Sequence, residues 1–389
     1  MNTIKFNSWF KVYLIILFLF AFFFLFQKYD NKVEWTISEW LINYQGGFTR
    51  RGLLGEIVFQ FSKIFSVSVR EMIFIFQTVT YLIFYYLLYK FIKDIKKSLL
   101  LVFAIFSPLF IIYPIAEVEV LARKEVFVFI SFLIVANFFG KKTTSNKHFL
   151  YFSFILVAAT LIWEGVIFYL PFFIIIPIIK NSFIFDKIFL IKIILSVMPT
   201  LIVFYFIVFF KLTANEIKIM CNSVNECYGA MSYMNNSLKS NIAEVTSKFK
   251  LVYLIRYIII FLVGFFPLFL IIKNSKFKLN STMNGKNPFP IFIIIFLPNI
   301  LFYYVAQDWG RWINISYTLS LLTYLYSYKN NFIIINIKTI NFNIFKKKFI
   351  IILLFIIFSF GWSPKTLMNE DVGSIPIYRK SLNIIDYFF

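Results

Sequence analysis

The chain has 389 residues, of which 60% are hydrophobic, 22% aromatic and only 15% charged. An ordinary soluble domain is about 25% charged, and one core of this size cannot hide so much apolar surface. Soluble enzymes, disordered chains and collagen-like chains are therefore excluded, and the net charge of +21 has to be explained inside a membrane protein.

A β-barrel would show short alternating segments, whereas this chain carries long unbroken apolar runs. The class is all-α: a polytopic integral membrane protein. Spans are expected near 10–27, 71–89, 98–114, 126–139, 149–163, 166–179, 188–210, 252–272, 290–306, 313–328 and 349–362, about 11 transmembrane helices. The first follows Lys5 and Lys11, has no small-residue cleavage site behind it, and reads as a retained signal anchor. Residues 149–179 read either as two short spans with a tight turn at Trp163-Glu164-Gly165 or as one long bent helix.

Charge favours two spans. The N-terminus and segments 90–97, 140–148, 180–192, 273–289 and 329–348 then share one side. They hold 21 of the 39 Lys+Arg and, of the 18 Asp+Glu, only Asp94 and Asp186. By the positive-inside rule this side is cytoplasmic, with the N-terminus inside and the C-terminus outside. The excess charge is thus a lysine coat, not a nucleic-acid surface. All seven arginines (Arg50, Arg51, Arg70, Arg123, Arg256, Arg311 and Arg379) fall on the outer side. Arginine grips phosphate and carboxylate with a planar fork that lysine lacks. The outer segments 28–70, 211–251 and the tail 363–389 belong to a single domain, 1–389, without internal repeats or linkers. The lack of repeats weakens a transporter reading.

Four outer segments carry chemistry. In Gln45-Gly46-Gly47-Phe48-Thr49-Arg50-Arg51-Gly52, the glycines mark a turn or a close approach and Thr49 is a plausible N-cap. Leu53, Leu54, Ile57, Val58, Phe61, Ile64 and Phe65 recur at helical spacing, giving an amphipathic helix in the first outer loop. Arg50 and Arg51 at its start, with free N–H groups, make an anion site or a pair that snorkels to headgroups. Glu117, Glu119, Arg123, Lys124 and Glu125 are expected at the mouth of the third and fourth spans, as a functional set or a salt-bridged helix end.

Glu164 stands alone between apolar runs. Desolvation would raise its pKa into the range of a general base; a structural ion pair with an outer arginine is the other reading. Asp308 and Arg311 in Gln307-Asp308-Trp309-Gly310-Arg311-Trp312 are three apart and either pair on one helix or join a shared pocket. The single His148 lies on the inner side, so no His-based metal cluster or Ser-His-Asp triad is expected. Cys221 and Cys227 are either a disulfide or free thiols.

The islands Gln45-Gly46-Gly47-Phe48, Arg50-Arg51-Gly52-Leu53, Arg123-Lys124-Glu125, Glu164-Gly165 and Asp308-Trp309-Gly310-Arg311-Trp312 resemble polytopic proteins of bacterial surface-polysaccharide clusters, the O-antigen polymerase type. The resemblance implies an inner-membrane glycosyltransferase working at the periplasmic face without cofactor or metal. It would move a growing glycan from undecaprenyl pyrophosphate onto a new lipid-linked repeat unit, with a chain-length regulator protein as a possible partner. Gln45, Gly46, Gly47, Arg50, Arg51, Arg123, Lys124 and Arg311 would then bind substrate. The arginines would stabilise the leaving pyrophosphate. Glu164 or Asp308 would take the acceptor proton. Two rivals remain: a polyprenyl-phosphate-sugar-dependent glycosyltransferase, which would use Glu34, Glu39, Glu56 or Glu117/Glu119, and a flippase or transporter for lipid-linked glycans, which would need charges along a central path.

Overall fold

The computed structural model describes residues 3–31, 34–141, 145–236, 238–335 and 348–388. Lys142, Lys338, Lys346 and Lys347 of the expected lysine coat lie outside the described residues. The helices run α1 (Thr3–Asp30), α2 (Glu34–Leu41), α3 (Gly52–Phe65), α4 (Val69–Ile92), α5 (Leu99–Ile105), α6 (Tyr113–Ala116), α7 (Val126–Phe139), α8 (Asn146–Ile162) and α9 (Val166–Lys180). They continue as α10 (Lys187–Phe209), α11 (Ala214–Val224), α12 (Leu238–Lys248), α13 (Leu251–Lys273), α14 (Phe289–Phe296), α15 (Ile300–Val305), α16 (Trp309–Lys329), α17 (Lys348–Phe360) and α18 (Pro376–Phe388). Two small antiparallel ribbons pair β1 (Ser275–Phe277) with β2 (Ile333–Ile335) and β3 (Trp362–Ser363) with β4 (Gly373–Ser374).

Phe6–Asp30 of α1, and α4, α10 and α13, are long and apolar enough to cross a membrane. The shorter apolar helices, among them α7, α8, α9 and α17, have 13–17 residues. At 1.5 Å per residue they reach about 20–25 Å, less than the hydrocarbon core. Helices α10 and α13 turn rows of bare Ile, Leu and Phe outward, including Leu195, Ile202, Ile259 and Phe266. Such faces are stable only against lipid or another apolar surface, and this is a membrane-embedded protein.

The chain breaks at Trp163–Gly165 and turns back. Lys180 at the end of α9 donates to the Lys141 carbonyl, 2.6 Å away, near the start of α8. The two-helix reading of 149–179 is therefore the observed one. The same end gathers Lys97 on the Ile92 carbonyl, Lys329 on the Phe91 carbonyl, and the β1–β2 ribbon. The chain starts at this lysine end, where Lys97 meets Asn7. It finishes at the other, where Tyr387 of α18 meets Asp30 of α1.

Two expected spans are not continuous helices. Residues 98–114 are helical over α5 and again only from Tyr113, where the short α6 begins, because Pro108 has no N–H to donate and pushes Ser107 out of the helical region. The freed carbonyls are paired from neighbouring helices. Asn314 Nδ2 donates to the Leu109 and Phe110 carbonyls at 2.8 and 3.2 Å, and Tyr317 donates to the Ala104 carbonyl at 2.8 Å. Irregular backbone at membrane depth is tolerated only when buried in protein and satisfied in this way. Residues 290–306 are likewise interrupted by a 3₁₀ turn at Leu297–Asn299, where Pro298 sits.

Helix α16 is the hub. It is buried over Trp309–Ser327 although it carries many polar side chains. Tyr317 and Asn314 secure the broken segment, Tyr326 reaches the Phe139 carbonyl, and Tyr324 meets Ser275. A second, smaller core lies at the arginine end. There α2, α3, α11 and the 3₁₀ turn Gly229–Met231 bury Trp40, Leu41, Leu54, Val58, Met220 and Met231 together. The amphipathic helix of the first loop is α3. It does not start at Thr49, whose hydroxyl meets Met234 Sδ; it starts after Arg51. Cys221 and Cys227 are disulfide-bonded across six positions, fastening the end of α11 to the turn behind it.

If the broken segment depends on α16, Asn314→Leu strands the buried Leu109 carbonyl at about 1–3 kcal/mol, while the Phe110 carbonyl keeps the Tyr113 N–H. The melting temperature in detergent should fall by a few degrees; an unchanged midpoint would mean that the Leu109 carbonyl finds another partner.

Candidate functional site

The site begins with α2, which presents Glu39 inward among Ile37, Trp40 and Leu41. Glu39 is 0% exposed, so its charge must be matched. Arg51 Nη1 sits 3.0 Å from one carboxylate oxygen and Arg123 Nη1 3.6 Å from the other. Burial opposes ionisation of Glu39, but Arg51 and Arg123 outweigh it and hold its carboxyl below the ordinary range.

Arg51 faces a second acid. Its Nε and Nη2 donate to Glu164 at 2.9 and 2.7 Å in a forked arrangement, and Arg50 Nη1 approaches the same carboxylate at 3.9 Å. Arg51 has φ 63°, in the left-handed region, a costly conformation for a side-chain-bearing residue that persists only when the surroundings enforce it. Here Lys124 enforces it by donating to the Arg51 carbonyl at 2.6 Å. Ala122 is also left-handed, at φ 71°. It is held by Trp40 Nε1, which donates to its carbonyl at 2.6 Å, and by Tyr81, whose hydroxyl accepts from its N–H at 3.0 Å.

Arg311 completes the network by pairing with both Glu125 and Asp308. Its guanidinium also lies over the Trp312 ring, 5.0 Å from the centroid, a favourable cation–π position. Trp312 stacks on Phe302 and Trp163 with centroids 4.6 and 6.1 Å away. One aromatic stack therefore joins the turn bearing Glu164 to the helix start bearing Arg311. A cavity of about 20 Å³ lies beneath, lined by Arg123, Glu125, Arg311 and Asn314; this is room for one water molecule.

Of the residues singled out from sequence, Arg50, Arg51, Arg123, Lys124, Glu164, Asp308 and Arg311 meet in this one network. Gln45, Gly46 and Gly47 lie apart from it. Gln45 donates to Glu56 at 2.9 Å, and a side chain at Gly46 would collide with the Glu216 backbone carbonyl of α11. These glycines let two outer loops touch. Gly310 permits a similar close approach, since a Cβ there would strike the Lys365 carbonyl of the tail. The tail is tied across it by Gly310 N–H to the Thr366 carbonyl at 3.0 Å. Arg70 pairs with Glu226 and Arg256 with Asp371, so these two have structural partners elsewhere. Glu39 is the member that sequence reasoning places only in a rival scheme, though an acid flanked by Ile37, Trp40 and Leu41 already signals burial.

No family model, curated protein or solved structure matches this chain. Local chemistry must carry the reading. Five cations (Arg50, Arg51, Arg123, Lys124, Arg311) interleave with four carboxylates (Glu39, Glu125, Glu164, Asp308), so the network is nearly neutral. Arg50 Nε and Arg311 Nε are buried without a hydrogen-bond partner, and Arg51 and Glu164 keep 23% and 16% of their side-chain surface. The cluster therefore retains unpaired donors and reaches solvent at Arg51 and Glu164.

The Glu164 pKa runs opposite to expectation. Burial alone would lift it, but the charge and hydrogen bonds of Arg51, with Arg50 behind, pull it down to about 2. A carboxylate held that firmly is an arginine anchor and a poor proton acceptor near neutrality. Its folded pKa is lowered, so its contribution to stability is complete above the ordinary value of 4.5 and is lost as pH falls toward about 2. Glu164→Gln should cost on the order of 3 kcal/mol by leaving Arg51 half-paired. It should also reduce the loss of thermal stability seen on acidification through that window; an unaltered acid limb in melting experiments would contradict the pairing.

Proposed function

We propose that this protein is a surface-polysaccharide polymerase of the O-antigen type. In this reading it is a multi-pass protein of the bacterial inner membrane with about 11 crossings. The lysine end faces the cytoplasm and the arginine end the periplasm. It transfers a growing glycan from undecaprenyl pyrophosphate to the terminal sugar of a lipid-linked repeat unit.

One observation carries the reading. Arg50, Arg51, Arg123 and Arg311 come from three distant stretches of chain and converge at one end of an apolar bundle. The leaving group of the reaction is a pyrophosphate whose lipid tail keeps it at headgroup depth. It gains charge as the glycosidic bond breaks, and pre-positioned guanidinium donors stabilise that charge best when they need not reorganise. Glu39, Glu164, Glu125 and Asp308 hold the forks in place, as in the bound arrangement of any preorganised anion site. The disulfide at Cys221–Cys227 supports an oxidising compartment for the arginine end.

Loss of the protein should leave lipopolysaccharide capped with a single repeat unit; a full ladder of chain lengths in the deletion strain would end the proposal. Arg51→Lys and Arg311→Lys keep the charge and lose the fork. Each should slow polymerisation by about 10²-fold or more with the protein still present in the membrane, and wild-type ladders from both would reject the pyrophosphate site.

A further inference from the structure

The acids of the network leave one role unfilled. Glu39, Glu125, Glu164 and Asp308 each face an arginine, and transfer to a sugar hydroxyl needs a group that can accept a proton. Glu117 differs from all four in facing a lysine rather than an arginine of the network; burial lifts the Glu125 carboxyl as well, but Arg311 occupies that carboxylate. It sits at the end of α6, on the same stretch as Arg123, and its side chain is 6% exposed. Its neighbour is a lysine of the tail: Lys365 Nζ lies 3.3 Å from Oε1.

The groups that face Glu117 come from four directions. Tyr113 lies on its own helix and Tyr257 on α13. Lys365 comes from the tail, and Arg379 and Lys380 from α18. The tail is strapped down over this place. The Tyr257 hydroxyl lies 2.9 Å from both the Lys365 and Leu367 carbonyls, sharing its one proton between them, and Arg256 pairs with Asp371 at 2.8 Å. The same tail segment passes against Gly310, beside Arg311, and the Tyr113 hydroxyl borders Gly310 at the same place. Glu117 therefore stands next to the arginine network without being part of it.

We propose, resting on the polymerase reading above, that Glu117 is the general base of the transfer and that Lys365 of the C-terminal tail positions it. The acceptor hydroxyl oxygen forms the new bond to the anomeric carbon of the donor. The bond from that carbon to the pyrophosphate oxygen breaks, and its electron pair leaves with the lipid pyrophosphate. The hydroxyl proton passes to the Glu117 carboxylate, which returns it to water. The electrostatics agree with this division of labour. Burial lifts the Glu117 carboxyl, Lys365 pulls it back only in part, and it comes to rest at about 7. A base is active in its deprotonated form, so the rate should rise as pH increases through about 7.

The test uses the purified full chain in liposomes with lipid-pyrophosphate-linked repeat units, and polymerisation rates across the neutral pH range. Glu117→Gln should lower the rate by about 10²–10⁴-fold and abolish the rise with pH. Glu117→Asp should restore part of the rate together with the rise. Lys365→Met removes a charge that favours the ionised carboxylate, so it should move the rise to higher pH while the enzyme still turns over. A merely structural role for either residue would not move the profile in this way.

If Glu117→Gln keeps the wild-type rate and profile while Arg51→Lys is impaired, the base lies elsewhere and the polymerase reading stands. If Glu117→Gln does not accumulate, Lys365→Met decides, and an unshifted profile overturns the proposal. Wild-type protein that forms no polymer at all overturns both readings.

Discussion

Glu39 is a carboxylate with no exposed surface at the end of an apolar helical bundle, and most of the arginine end is arranged around matching it. A lone buried charge is costly by several kcal/mol, so the fold brings Arg51 from one loop and Arg123 from another to its two oxygens. Arg51 in turn needs a second acid, which the turn between α8 and α9 provides as Glu164. Arg311 and Glu125 extend the same logic into the start of α16. Removing a member leaves a largely buried partner with an unmatched charge, so the network is held by mutual dependence rather than by any single strong bond.

That dependence explains the odd backbone around it. Arg51 and Ala122 occupy left-handed conformations that a free chain avoids. Lys124 and Trp40 donate to their carbonyls, and the Tyr81 hydroxyl accepts from the Ala122 N–H. Strain concentrated in this way, with dedicated hydrogen bonds holding it, is characteristic of sites that must present groups in fixed positions. Beneath the network, α16 repairs the break at Pro108 with Asn314 and Tyr317. The same helix therefore carries Arg311 and supports the irregular segment that leads to Arg123.

The division between acids that hold arginines and an acid that faces a lysine comes from geometry, not composition. Forked contacts place Glu164 against a guanidinium and keep it ionised down to about pH 2. Glu117 is also buried, but its ion pair is with the end of a flexible lysine at 3.3 Å, and Arg379 and Lys380 act on it more weakly. Burial then dominates, and the carboxyl rises. In the sequence both are acids beside apolar runs, and nothing local distinguishes them. Glu164 reads as a base from sequence because its isolation is visible there and its arginine partner, 113 residues away, is not.

What depends on neighbours along the chain is legible in the sequence alone. The membrane class, the helices around 10–27, 71–89, 188–210 and 252–272, the turn at Trp163–Gly165 and the amphipathic α3 all follow from hydropathy and helical spacing. The segregation of arginine from lysine is equally legible, since charge is counted segment by segment. Which cation meets which acid emerges only once the chain is folded. So do the close backbone approaches at Gly46 and Gly310, the break at Pro108 that neighbouring helices satisfy, and the reach of the tail to Glu117. Each of these is a long-range pairing whose energy depends on burial and on distances of a few ångströms, quantities that a one-dimensional pattern does not contain.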